Sequence, residues 1–139
     1  GATSAEVKNL TLPAAEEQYA DEQIAQGLQK HKWLSDQERS RIIVDHTSSN
    51  PYDMFVNKAV KHFEFLPNSK FNFTVSSPQS KTFPDGKWSV KNKRVDIDTR
   101  ILLGRMLMRN SRIQTLTEKE MAMLTEVDGG LFLLWFTAE

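Results

Sequence analysis

The sequence predicts an α+β fold, and three observations support that class. Residues 13–66 and 98–127 repeat apolar side chains at helical spacing and contain residues that favour helix starts. Residues 69–97 alternate apolar and polar side chains, the pattern of a strand with one buried face. Six consecutive apolar residues at 131–136 have the length of a strand buried on both faces. We therefore expect a unit of three helices, a small antiparallel sheet of about three short strands, two further helices and a C-terminal strand.

Length and composition point to a single domain and exclude several classes of protein. A chain of 139 residues has the size of one domain, with residues 1–12 predicted to be a flexible arm and residues 13–139 the domain itself. The absence of cysteine excludes disulfides, thiolate nucleophiles and cysteine-bound metals. No apolar run approaches the roughly 20 residues of a membrane-spanning helix, and no leader peptide is evident. We expect an intracellular protein, cytoplasmic or nuclear, with no membrane partner.

Helix-start signals place the three N-terminal helices. The first is expected over residues 13–31, because Pro13 favours the first turn. The second follows a capping box at residues 35–38, and the third begins at Asn50. The third helix has the clearest amphipathic face, made of Phe55, Val56, Ala59, Val60 and Phe63.

The second half of the chain is expected to contain the sheet and the remaining helices. A first strand at residues 69–76 is followed by short strands around residues 88–90 and 95–97. Turn-forming residues lie between them, at Pro84-Asp85-Gly86 and near Asn92. Asp98 is expected to cap a fourth helix that reaches Arg112, and a second capping box at residues 117–120 opens the fifth.

The formal net charge of zero hides a basic middle between two acidic ends. Residues 1–30 carry a net charge of −3 and residues 114–139 carry −4, so residues 31–113 carry +7. Between Ser80 and Ile113 the chain contains nine basic side chains and three aspartates. Such asymmetry is expected of a protein that binds an anionic partner, unless the acidic ends fold back onto the basic middle and neutralise it.

The sequence therefore predicts a non-enzymatic binding domain that binds nucleic acid through residues 81–112. If the fourth helix reaches Arg112, then Arg105, Arg109 and Arg112 form one stripe on its surface. Guanidinium groups bind phosphate oxygens with paired hydrogen bonds, which favours this stripe over scattered lysines. The candidate anion-binding residues are the three arginines together with Lys58, Lys61, Lys81, Lys87, Lys91, Lys93 and Arg94.

Two arrangements could present these residues to nucleic acid. The second and third helices and the strands after them occur in the order of a winged helix. In that arrangement the groove-facing side chains would be Tyr52, Asn57, Lys58 and Lys61. Alternatively, aromatic side chains of the sheet could stack on bases, although a face that mixes aromatic residues with valines is more typical of a core. Those aromatic residues are Phe71, Phe73, Phe83 and Trp88.

Other functions remain open in the sequence. One is protein interaction or assembly through the helices and the apolar segment 131–136. Another is a Mg²⁺-dependent phosphodiesterase or nuclease, because Asp96 and Asp98 place two carboxylates on one strand face. A three-histidine metal site and a hydrolase triad within residues 45–49 would each need unusual tertiary geometry. Because no phosphate-loop, dinucleotide, zinc-protease or serine-hydrolase motif occurs, we expect no catalytic residue, metal or cofactor.

Overall fold

The computed structural model describes residues 19–44, 59–102 and 104–139. Within these ranges the chain forms one helix, α1 (Asp21–Gln29), and eight strands. The strands are β1 (Lys32–Val44), β2 (Val60–Leu66), β3 (Lys70–Val75), β4 (Lys81–Lys91), β5 (Arg94–Ile101), β6 (Gly104–Leu116), β7 (Glu120–Val127) and β8 (Gly130–Ala138). The predicted α+β class is therefore wrong, because the described residues form a β structure with a single short helix.

The strands form a closed barrel in which each pairs antiparallel with the next along the chain. The barrel closes where β1 pairs with β8, from Trp33 opposite Ala138 to Val44 opposite Leu131. Two hairpins, at residues 91–94 and 127–130, use central residues with positive φ angles, as a type I′ turn requires. Every strand has a paired neighbour on each side, although β1 pairs with β2 over only three residues, Lys32, Trp33 and Leu34.

The barrel interior is filled by the chain's own side chains. Aromatic rings dominate one half: the centroid of Phe63 lies 5.2 Å from that of Phe71 and 4.6 Å from that of Phe136. Methionines of β6 and β7 occupy the other half. Most inward side chains are at most 8% exposed, so they pack closely against one another. They include Trp33, Phe63, Phe65, Phe71, Phe73, Phe83, Trp88, Ile97, Met106, Met108, Met121, Met123, Phe132 and Phe136.

Helix α1 closes one end of the barrel, which we call the helix end. It buries Ile24 and Leu28, and the carbonyl oxygen of Leu28 accepts a hydrogen bond of 2.9 Å from the indole N–H of Trp33. The carboxylate of Asp21 accepts backbone N–H bonds from the β4–β5 turn, at 2.6 Å from Lys93. Gly27 lies so close to Leu116 that a Cβ would come within 2.6 Å of its side chain.

The other predicted helices are wrong, and β6 shows a physical reason. Residues predicted as the second, fourth and fifth helices form β1, the end of β5 with β6, and β7, and the end of the predicted third helix forms β2. In β6, Met106 and Met108 point inward at the spacing of a strand, but Leu107 between them made the segment look helical. The beginning of the predicted third helix and the N-terminal arm lie outside the described residues.

The two capping boxes use their hydrogen-bonding groups in other local structures. At 117–120, the hydroxyl of Thr117 accepts the backbone N–H of Glu120 at 3.1 Å, within the β6–β7 hairpin. At 35–38, Asp36 instead accepts the N–H of Arg39 where the β1–β8 register shifts. The Thr117 bond is the one that a capping box predicts, but it closes a hairpin, and at 35–38 the acceptor is Asp36 and not the predicted Ser35.

The predicted strands do occur in the structure. Residues 69–76 correspond to β3, residues 131–136 lie in β8, and the short strands around residues 88–90 and 95–97 belong to β4 and β5. The turn near Asn92 is also confirmed. Pro84-Asp85-Gly86, predicted as a turn, lies within β4 where its register against β3 shifts.

Candidate anion-binding face

The outer surfaces of β4, β5 and β6 together carry an excess of positive charge. Trp88, Ile97 and Met108 pair in one row and are buried, so the alternating positions between them point outward. These outward positions carry seven basic side chains and three aspartates, Asp85, Asp96 and Asp98. We call this surface the basic face; its cations are Lys87, Lys91, Arg94, Arg100, Arg105, Arg109 and Arg112.

The three arginines of the predicted stripe are on one side of the molecule, although they belong to strand β6. A strand would normally place 109 and 112 on opposite faces. The register against β7 shifts between these residues, and Asn110 has a φ of 56°, so a bulge restores the outward direction at Arg112. Arg109 is exposed, whereas Arg112 is buried at its outward position.

Two of the three aspartates on the basic face, Asp96 and Asp98, already accept hydrogen bonds from the protein. Asp98 Oδ1 accepts hydrogen bonds from Nε of Arg105 at 3.0 Å and from Nη2 at 2.8 Å. Asp96 Oδ1 accepts the backbone N–H of Asn110 at 2.8 Å and so supports the bulge. Asp98 is therefore not the helix cap that the sequence predicts. Asp96 is not simply solvated, because it supports the bulge.

An open groove of about 370 Å³ crosses the basic face. Lys87 and Ser89 of β4 line one side, and Leu107 and Arg109 of β6 line the other. Within the described part of the chain, neither Lys87 nor Arg109 forms an ion pair. A phosphate in the groove could therefore contact Lys87 and Arg109 without breaking an ion pair of the described residues.

The remaining predicted anion-binding residues lie elsewhere. Lys81 is at the opposite end from α1, with its ammonium group 5.1 Å from the ring centroid of Phe83. Lys93 lies in the turn that binds α1, and Lys61 lies on β2, beyond β3. Lys58 is outside the described residues, as are Tyr52 and Asn57 of the predicted winged helix.

The structure removes the basis for base stacking on the sheet. Phe71, Phe73, Phe83 and Trp88 all point into the barrel and are buried. The apolar segment 131–136 forms most of β8, which pairs with β7 and β1 and so has no free edge for a partner strand. These aromatic and apolar residues act as core.

The other predicted constellations are not assembled by the described residues. Those residues contain no group of three or more His, Asp or Glu that could hold a metal. His31 and His62 bind different carboxylates, at 3.3 Å from Glu118 and 3.0 Å from Glu139. The pKa of Glu139 is lowered by the hydrogen bond from His62. Residues 45–49, with the third histidine, lie outside the described ranges.

Comparison with protein families, curated proteins and solved structures found no match. In the described ranges, no helix has the length and hydrophobicity needed to cross a membrane. Arg100 and Ser89 also lie on the basic face, and the sequence did not indicate them as candidate anion-binding residues. The strict alternation of β5 places Arg100 on the same side as Asp98, and that period was visible in the sequence.

Proposed function

We propose that this protein binds double-stranded nucleic acid through the basic face, by contacts to phosphate groups without reading the base sequence. The proposal rests on the pairing register of β4, β5 and β6, which places seven cations on the outer side of these adjacent strands. Neighbouring strands lie about 4.8 Å apart, so this surface presents cations over a width of about 10 Å. That width suits the dense and regular charge of a duplex backbone.

The burial of the aromatic residues favours a duplex over a single strand. Proteins that bind single strands without sequence preference stack bases on exposed aromatic side chains. Here the aromatic residues of β3 and β4 face the interior. Binding would therefore rest on phosphate contacts, and its affinity should fall steeply with salt.

The filled interior argues against a small-molecule carrier. An eight-stranded barrel can hold one small ligand when its interior is not filled by side chains. Most inward side chains of this barrel are at most 8% exposed, which favours a ligand surface on the outside of the wall.

The test is a titration of a fluorescent 20-base-pair duplex at two salt concentrations. The doubly substituted protein Lys87→Glu/Arg109→Glu should bind at least about tenfold more weakly at low salt, and the salt slope should fall by about 2. The matched control, Lys32→Glu/Lys119→Glu, changes the net charge equally at two exposed positions away from the basic face. It should bind nearly as well as the unchanged protein.

Three results would contradict the proposal. The first is absence of duplex binding at low salt. The second is an equal loss in both double variants, which would mean that only net charge matters. The third is tighter binding of a single strand or of a sulfated polysaccharide than of the duplex.

A further inference from the structure

The groove on the basic face contains hydrogen-bond acceptors as well as cations. Lys87 of β4 and Arg109 of β6 lie at its two sides, and β5 runs between them. On β5 the groove is lined by the carboxylates of Asp96 and Asp98. These carboxylates repel a phosphate group, so a ligand that fills the whole groove needs hydrogen-bond donors beside its phosphates.

Asp96 retains an acceptor for such a donor. Its Oδ1 accepts the backbone N–H of Asn110 at 2.8 Å, and the described contacts leave its Oδ2 without a donor. Ser89 is its direct partner across β4 and β5, at a spacing of about 5 Å between Cβ atoms. Both side chains are exposed, and within the described ranges the Ser89 hydroxyl forms no hydrogen bond. The middle of the groove thus offers two oxygen atoms, close together, that can bind a ligand hydroxyl.

An exposed leucine lines the groove next to these polar groups. Leu107 pairs with Asp98 across β5 and β6, and it is 39% exposed. A phosphate ion has no apolar surface to place against this side chain, whereas the C–H groups of a pentose can pack on it. The groove therefore fits a sugar–phosphate unit better than a phosphate ion alone.

We propose that the groove binds the backbone of double-stranded RNA, and that Asp96 accepts a hydrogen bond from a ribose 2′-hydroxyl. This inference rests on the proposed function and names the kind of duplex. Along an RNA strand each phosphate has a 2′-hydroxyl donor nearby, while DNA has only C–H groups at that position. The 2′-hydroxyl is the group by which a protein distinguishes RNA from DNA at a given site.

The cations and the carboxylate have different parts in this recognition. Lys87 and Arg109 contact phosphate groups, which RNA and DNA share, so both duplexes bind at low salt with similar salt slopes. Asp96 separates the two, because a DNA backbone over the groove removes water from its Oδ2 and supplies no donor in return. A covered acceptor without a donor costs the free energy of its lost hydration.

The test compares three 20-base-pair duplexes of matched sequence with the full-length protein. They are RNA, DNA and 2′-fluoro RNA, which keeps the A-form geometry but has no O–H donor. RNA should bind at least about fivefold more tightly than either of the others, because its hydrogen bond to a carboxylate is charge-assisted. Equal affinity for RNA and 2′-fluoro RNA would overturn the proposal and assign any preference over DNA to the shape of the helix.

A matched pair of variants tests the role of Asp96. Asp96→Asn keeps an oxygen for the Asn110 N–H but replaces the free oxygen with an NH₂ group, so the preference for RNA over 2′-fluoro RNA should fall below about twofold. The control, Asp85→Asn, removes the same charge from the basic face outside the groove, and it should leave the preference unchanged. A preference that survives Asp96→Asn, or that both variants lose equally, would contradict the assignment.

The duplex comparison also separates this inference from the proposed function. If all three duplexes bind equally and Lys87→Glu/Arg109→Glu weakens all three, the basic face binds phosphate groups and the 2′-hydroxyl contact is wrong. If no duplex binds at low salt, the proposed function fails and this inference fails with it. The comparison uses the unchanged protein, so its result does not depend on the folding of any variant.

Discussion

The basic face and the outward residues of β7 and β8 lie on one barrel, share an inward pattern and differ outward. We call the outward residues Ala122, Leu124, Leu131 and Leu133 the apolar wall. In β5, buried Val95, Ile97 and Thr99 alternate with charged residues, whereas in β7 the inward methionines alternate with Ala122 and Leu124. The inward side chains fill the same interior in both regions. The outward side chains decide the chemistry of each region, which is charged on the basic face and apolar on the wall.

The largest expected effect compares two outward leucines. Leu131→Ala should lower the free energy of unfolding by about 2–5 kcal/mol, because the side chain of Leu131 is only 3% exposed. Leu107→Ala should change it by less than about 0.5 kcal/mol, because that side chain is already exposed. Urea unfolding of both variants measures the difference. Equal losses would show that the two walls do not differ in packing.

The second prediction concerns Arg39, which covers the outward ring of Trp135 beside the apolar wall. Its guanidinium lies 4.3 Å from the ring centroid and binds Asp36 at 2.7 Å and Glu120 at 2.9 Å. Arg39→Met should lower the Tm by a few degrees, and Arg39→Lys by less, because lysine keeps the charge but not the planar group. Thermal unfolding measures both. A lysine variant as unstable as the methionine variant would show that stacking and geometry, not charge, provide the whole effect.

The sequence predicted alternating strands and one turn well, but helices and long-range pairing poorly. The turn at Asn92 and the strand alternation around Phe71 depend on neighbouring residues, and both are confirmed. Closure of the barrel depends on pairs such as Trp33 with Ala138, which no local pattern reveals. The exposed Leu107 added a helical spacing that β6 does not follow. The excess of basic residues was visible, but their gathering on one face required the register of three strands and the bulge at Asn110.

A third, smaller effect is expected at Asp98 on the basic face. The sequence assigned this residue to a helix cap, but it binds Arg105 on the neighbouring strand, with both side chains partly exposed. Exposed ion pairs contribute little, so Asp98→Asn should cost less than about 1 kcal/mol in urea unfolding. The variant also frees Arg105, so duplex affinity should rise slightly. A loss of 2 kcal/mol or more, as a rough limit, would indicate a structural role beyond the ion pair.

The smallest expected effect concerns the attachment of the helix end to the β6–β7 hairpin. Glu118 binds Lys30 at 2.7 Å and His31 at 3.3 Å, and the hydrogen bond from Lys30 is the main cause of its lowered pKa. Because the folded-state pKa lies below the ordinary value of 4.5, the carboxylate stabilises the fold above that pH, and this contribution is lost as pH falls through the lowered pKa. Glu118→Gln should therefore melt slightly below the unchanged protein at pH 7, and the two curves should converge in acid.

The control for this experiment is Glu22→Gln. The exposed Glu22 carboxylate of α1 binds only one of the described side chains, that of Gln26. If the Tm difference between Glu118→Gln and the unchanged protein persists at acid pH, where both side chains are uncharged, then the side chain acts through packing and not through its charge.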